Sequence, residues 1–215
     1  MWIEHTPEWL EEIKRFNTHA MKLRKRKACL LVIDMQNEFL AEGGAVFFHY
    51  AEAIVPNIKR LIDAFRKASL PVVFTGHVHE DPAVDGGMTA EWWPEIKLGK
   101  SLIKGTKGVE IFKAFKPLKS ERIVWKHRYS AFYNTDLEMI LRGMEVTDLV
   151  IVGVLTNCCC ESTARDGFFR DFRVFFLADA TATSEPEFHV ASLRNLAYAF
   201  AYVTTTKDIL SQISR

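Results

Sequence analysis

Three side chains of complementary chemistry follow three separate apolar runs of this chain. Asp34 follows the run at 28–33, Lys126 follows 122–125, and Cys159 lies in the turn after 149–154. A carboxylate can take the proton of a thiol, and an ammonium beside both favours the ionised forms; the resulting thiolate attacks a carbonyl carbon. The turn at 156–159 runs into a segment of helical pattern from Cys160. A thiol there sits at a helix N-terminus, where unpaired N–H groups and the helix dipole favour thiolate. The same N–H groups can hold an oxyanion. Each residue alone has a plainer reading, since cysteine is a common core residue, aspartate a common helix cap, and lysine usually a solvated charge. The nucleophilic reading rests on all three converging.

Convergence requires a scaffold that brings strand ends together. Six short runs read as buried strands, at 28–33, 71–75, 122–125, 149–154, 174–178 and 202–205. They are rich in β-branched and aromatic residues and apolar on both faces, as parallel strands covered on both sides are. Helical periodicity lies between them, at 51–68, 136–142, 160–170 and 187–200. This alternation predicts a three-layer α/β/α fold with a six-stranded, mostly parallel, Rossmann-like sheet and right-handed crossovers. A helix is expected over 7–23, with Thr6 as its cap and Pro7 in its first turn, and the basic run at 22–27 as its solvated end. The chain reads as one domain over 1–215, with an N-terminal helical extension of about 27 residues. Ligands of such sheets bind beyond the carboxyl ends of the strands, where Asp34, His77, His79, Lys126, Cys159 and Asp179 all fall.

The excursion at 80–115 carries Trp92, Trp93, Pro82, Pro94 and the glycines Gly86, Gly87, Gly99, Gly105 and Gly108. Long loops in compact domains are often functional, so it is expected to form a pocket wall or a subunit contact rather than a plain surface insertion. His77 and His79 point the same way on an extended segment and are of zinc-ligand type, but no third ligand is recognisable. They are read as pocket or structural residues, with no metal and no cofactor expected.

A net charge of +1 over 215 residues gives no electrostatic reason for a nucleic-acid or membrane partner. No apolar stretch approaches the length of a membrane span, and Glu4, His5, Glu8, Glu11 and Glu12 interrupt any signal-peptide core. Of the four cysteines, Cys158, Cys159 and Cys160 are consecutive, which fits neither a disulfide framework nor a zinc ribbon. A reduced, cytoplasmic protein is expected.

Taken together, the motifs resemble the isochorismatase-like cysteine hydrolases. The resemblance is carried by Val32-Ile33-Asp34-Met35-Gln36-Asn37-Glu38-Phe39, by Lys126-His127-Arg128-Tyr129-Ser130-Ala131-Phe132, and by the turn at 153–163 with its cysteine three residues after Thr156. Ala164-Arg165-Asp166-Gly167 and Asp179-Ala180-Thr181 also match, so the resemblance runs from about Ala28 to the C-terminus. It implies Cys159 as nucleophile, Asp34 as base and Lys126 as the cation, with Cys158 and Cys160 as bystanders. It also implies a cis peptide between Val154 and Leu155, and an oxyanion hole made by the backbone N–H groups of Leu155 and Cys159.

The turn at 156–169 and the stretch at 128–136 are most similar to ureidoacrylate and N-carbamoylsarcosine hydrolases. That similarity implies cleavage of a C–N bond in a small linear amide or ureido compound, through a thioester. The alternatives within the family are a nicotinamidase and an isochorismatase-type vinyl ether hydrolase; a non-catalytic oligomeric scaffold is the alternative outside enzymology. Phe39, Trp93, Phe132 and Tyr133 flank the motifs and are candidate substrate contacts. Arg128 or His127 is a candidate for a substrate carboxylate, with a structural ion pair an equal reading of Arg128. The expected partners are a small-molecule amide and further copies of the chain, as a dimer or tetramer, with 160–172 and the C-terminal region as the candidate interface.

Overall fold

The apolar runs pair into one sheet of six strands in the order β3-β2-β1-β4-β5-β6. In the computed structural model, which describes residues 2–214, these are β1 (Ala28–Ile33), β2 (Val72–His77), β3 (Arg122–Lys126), β4 (Asp148–Val154), β5 (Arg173–Ala182) and β6 (Tyr202–Thr204). Met1 and Arg215 of the expected domain lie outside the described residues. Every pairing is parallel, so the sheet is wholly rather than mostly parallel. β1, β2 and β4 are buried along their whole length, which is why their sequences show apolar runs without alternation. The order reverses between β1 and β4, so the connections that leave their carboxyl ends run to opposite sides and frame a crevice there.

Helices cover both faces. Val55–Lys67 packs against β1 and β5 beside the C-terminal helix Thr206–Ile213; Glu161–Phe169 and Pro186–Ala199 pack on β5 and on each other. Leu137–Gly143 completes the set between β3 and β4. The helix expected over 51–68 is two helices, Tyr50–Ala53 and Val55–Lys67. Pro56 has no N–H to give to the turn before it, so it suits the first turn of the second helix and ends the first. The C-terminal helix went unread because only Ile209 and Ile213 of its residues are large and buried.

The N-terminal extension departs most from expectation. Its α-helix is Thr6–Ile13, preceded by a 3-10 turn Trp2–His5, and the chain is not helical over 17–23. Thr6 is not the cap; its hydroxyl donates to the Ile3 carbonyl at 2.8 Å. Long-range bonds hold the following segment extended. The Asn17 amide donates to Val203 O at 2.7 Å and accepts from Val203 N at 3.1 Å, as a neighbouring strand would on edge strand β6. Leu23 N donates to Gln212, and Arg24 N to Asp148. The basic run therefore ends in a 3-10 turn, Lys25–Lys27, leading into β1, rather than in a helix end.

The excursion at 80–115 contains three short helices, Pro82–Asp85, Gly87–Trp92 and Pro94–Lys97. It is tied back to the sheet by isolated bridges of His79 with Ile103 and Gln36 with Ile111. No helix among the described residues is long and apolar enough to cross a membrane.

Candidate active site

The crevice between β1 and β4 is where Asp34, Lys126 and Cys159 meet. Asp34 follows the last residue of β1 with φ at 47°, a turn conformation that short polar side chains tolerate better than most. The Thr75 hydroxyl, on the neighbouring β2, accepts from Asp34 N at 3.1 Å and donates to Asp34 Oδ1 at 2.6 Å, fixing the carboxylate. Lys126 ends β3, in register with His77, and its side chain reaches past β2. Its ammonium donates to Cys159 Sγ at 3.3 Å and to the Arg128 carbonyl at 3.0 Å, and pairs with Asp34 Oδ2 at 2.7 Å. Asp34 and Lys126 are fully buried and Cys159 nearly so.

Burial pushes the Lys126 ammonium down, but Asp34 and Cys159 opposite it hold it above its ordinary value, so it is cationic. Burial raises the Cys159 thiol well above the usual range, and Asp34 adds to this against the pull of Lys126. Burial thus favours the thiol form of Cys159. Helix-end stabilisation of a standing thiolate, the sequence expectation, is outweighed by burial.

Cys159 rides on a single π-helical turn, Thr156–Cys160, that opens the helix Glu161–Phe169. Both Cys158 N and Cys160 N donate to Leu155 O, at 3.2 and 3.1 Å, which curls the turn tightly around Leu155. The peptide bond between Val154 and Leu155 is cis. Side chains brace the turn from outside: Thr156 Oγ1 bonds His189 Nδ1 at 2.9 Å, and Thr183 donates to Asn157 Oδ1 at 2.7 Å. Below it Gly153 has φ at 119°, and a Cβ there would lie 2.1 Å from the Ile33 carbonyl, so only glycine lets β1 and β4 approach this closely. Cys160 is fully buried in the core, whereas Cys158 faces the cavity.

A cavity opens onto Cys159, walled chiefly by Phe39, Trp93, Ile96, Leu102, Tyr129 and Leu155. Of the candidate substrate contacts, Phe39 and Trp93 line it and the other three do not. Phe132 packs on Phe172 beneath the Arg170 guanidinium, and Tyr133 is more than half exposed. The Arg128 guanidinium donates to the carbonyls of Asp85 at 2.7 Å and His127 at 2.6 Å, closing the excursion onto β3. It faces backbone, not the cavity. Tyr129, which the sequence reading passed over, takes a hydrogen bond from Trp93 Nε1 at 2.8 Å and completes the wall.

His77 also lines the cavity. Its Nε2 lies 3.2 Å from His79 Nε2, and His79 Nδ1 lies 2.9 Å from Asp85 Oδ1. The carboxylate accepts a hydrogen bond from His79 Nδ1–H, so His79 Nε2 is the acceptor and His77 Nε2 the donor. Burial, then Lys126 and the neighbouring imidazoles, hold His77 well below its ordinary value and hence neutral.

Two groups of ligand-type side chains occur among the described residues, Asp34 with His77 and Cys159, and His79 with Asp85 and His127. In the first, the Lys126 ammonium already occupies the carboxylate and the sulfur, which does not suit a resident metal. In the second, His127 Nδ1 lies 3.9 Å from Asp85 Oδ2 and donates to Val78 O at 2.6 Å.

The chain is similar to known hydrolases in sequence and in fold. The family model described as isochorismatase domain matches residues 28–208. Nicotinamidase 3 of Arabidopsis thaliana is 40% identical over 192 residues, covering 88% of this chain and 90% of that one. The ureidoacrylate amidohydrolase RutB of Serratia proteamaculans (strain 568) is 34% identical over 214 residues, covering 91% and 86%. A solved cysteine hydrolase from Pseudomonas syringae pv. phaseolicola 1448A superposes with a TM-score of 0.86 at 31% identity, over 91% of this chain and 96% of that one.

Proposed function

The chain belongs to the isochorismatase-domain family of hydrolases, and within it we propose that it is a cysteine amidohydrolase that cleaves the C–N bond of a small amide. The observation that carries this is the buried Lys126 ammonium, in contact with both the Asp34 carboxylate and the Cys159 sulfur, beside a cavity that opens onto Cys159. Asp34 takes the thiol proton as Cys159 Sγ bonds to the amide carbon. The oxygen becomes an oxyanion, received by the backbone N–H groups of Leu155 and Cys159. As the tetrahedral intermediate collapses, the C–N bond breaks and Asp34 returns the proton to the departing nitrogen, leaving a thioester. A water gives a proton to Asp34 and adds to the thioester carbonyl; the C–S bond breaks, the acid is released, and the proton goes back to sulfur. Lys126 keeps one positive charge beside whichever of Asp34 and Cys159 is anionic, so the buried site never holds an unpaired negative charge.

The cavity wall favours an uncharged, apolar carboxamide over a ureido acid. The only cation at the reacting end is Lys126, already committed to the site, and among the described residues no arginine lines the cavity. Arg128 is engaged with backbone, while Glu95 lines the rim and would repel a substrate carboxylate. Aromatic and aliphatic walls instead suit a flat apolar group beside the amide. The test is ammonia release from nicotinamide, simple aromatic and aliphatic carboxamides, ureidoacrylate, N-carbamoylsarcosine and biuret. The expected result is turnover of neutral carboxamides at lower KM than any acid-bearing substrate. Preference for ureidoacrylate would overturn the assignment of the wall, and hydrolysis of a vinyl ether with no amide turnover would overturn the amidase reading.

A further inference from the structure

We propose that His189 is a positioning residue for the nucleophile turn and that the N-terminal residues 2–13, which lie outside the family match, hold it in place. Thr156 begins the π-helical turn that carries Cys159, and its hydroxyl is bonded to His189 Nδ1 at 2.9 Å. His189 comes from the helix Pro186–Ala199 and is fully buried. Two indoles from the N-terminal segment pack against its ring, Trp9 with centroids 4.4 Å apart at 57° and Trp2 at 4.8 Å and 67°.

The indoles are themselves fixed. Trp2 Nε1 donates to Thr181 O at 3.0 Å, on the part of β5 that pairs with Gly153, and Trp2 and Trp9 pack edge to face 5.0 Å apart. Glu12 pairs with Arg194, fastening the segment to the helix that bears His189. A continuous path of contacts thus runs from residues 2–13 through one imidazole to the first residue of the catalytic turn. Enclosure by the rings keeps the imidazole neutral, with burial pulling it down to about 3, so the bond to Thr156 does not change with pH over the working range. A neutral histidine that meets no substrate cannot serve the chemistry directly. What it can do is set the rotamer and backbone of Thr156, and with them the place of Cys159 Sγ beside Asp34 and Lys126. A displacement of about 1 Å at such a site can cost about a hundredfold in rate.

The inference needs no particular substrate, because two readouts are available: kcat and KM on any amide turned over, and the rate of Cys159 alkylation by iodoacetamide, assigned by tandem mass spectrometry against Cys158 and Cys160. His189→Phe keeps an aromatic ring between the indoles and removes the bond. It is expected to lower kcat about tenfold, the rate equivalent of one buried hydrogen bond, with KM within about twofold and slower Cys159 alkylation. Thr156→Val is expected to do the same, the double variant to be no worse than either single, and His189→Gln to recover part of the loss. Trp9→Leu, which loosens the enclosure, is expected to lower kcat in the same direction by a smaller factor. Should His189→Phe not fold, Thr156→Val carries the same expectation. Unchanged kcat and alkylation in either variant, a change confined to KM, or losses that multiply in the double variant would overturn the proposal. Absence of amide turnover with altered alkylation would strike the amidase reading and leave this one standing.

Discussion

At the residue scale the site is an exercise in charge conservation. Cys159, Asp34 and Lys126 are buried together, and burial favours a neutral thiol with a carboxylate–ammonium pair. The proposed attack therefore moves a proton from sulfur to Asp34 without creating new net charge. Cys159→Ala is expected to lower ammonia release by at least about a thousandfold, since no other nucleophile can form the thioester. Cys160→Ala should keep most of the activity, and Cys158→Ala should alter KM before kcat, because it touches the cavity and not Lys126. Loss of activity in Cys158→Ala with retention in Cys159→Ala would move the nucleophile by one residue. Thr75→Val removes the donor to Asp34 Oδ1 at the same volume; steady-state kinetics should show kcat about tenfold down or more, as expected for one lost bond to a buried carboxylate. Asp34 and Lys126 were legible in the sequence because each directly follows an apolar run; Cys159 lies in the turn after another, and it was singled out from Cys158 and Cys160 by the family resemblance. Thr75 and Tyr129 were not, since a threonine inside a strand and a tyrosine after one acquire meaning only from what the neighbouring strand or loop places opposite them.

At the element scale, strand ends aim the chemistry. β4 carries a register irregularity against β5 between Ile151 and Gly153, and Gly153 there lets the nucleophile turn lie against the end of β1. Gly153→Ala would drive a methyl into the Ile33 carbonyl at a backbone angle that L-residues disfavour. Thermal unfolding should show a loss of several kcal/mol or failure to accumulate folded protein. An unchanged melting temperature would mean that the strands can part without cost. Runs such as Ala28–Ile33 were readable to the residue because continuous burial on two faces leaves an unambiguous pattern. The N-terminal helix was overextended from Ile13 to residue 23 for the converse reason. Glu- and Lys-rich sequence there permits a helix, but Asn17, Leu23 and Arg24 are bonded to partners nearly 190 and 124 residues away, which no local pattern reports.

At the scale of the whole molecule, parallel order and burial couple stability to the protonation of thiols. Cys29 lies fully buried in β1, and burial raises its pKa far above that of an unfolded thiol. The folded state thus holds this proton more tightly than the unfolded state. Its contribution to stability is complete below the unfolded value of about 8.5 and is lost as pH rises above it, at about 1.4 kcal/mol per pH unit for one thiol. Denaturant unfolding between about pH 8 and 10 should show that decline, and Cys29→Ala should reduce its slope; an identical slope in the variant would contradict the assignment. A parallel sheet with its ligand site beyond the carboxyl ends could be anticipated from the alternation of strands and helices, whereas the strand order with its switch between β1 and β4 was read only from the structure. The identity of the cavity wall could not, because it is built by three short helices from a segment whose sequence gives only breakers and tryptophans.

The most direct test of the central claim is single-turnover hydrolysis of a neutral carboxamide by the native chain, quenched in acid and examined by intact-protein mass spectrometry. The account predicts an acyl adduct on Cys159 that forms with release of ammonia and decays to the free acid, and no adduct in Cys159→Ala. Amide turnover that persists in Cys159→Ala, or an adduct carried by another residue, would contradict it.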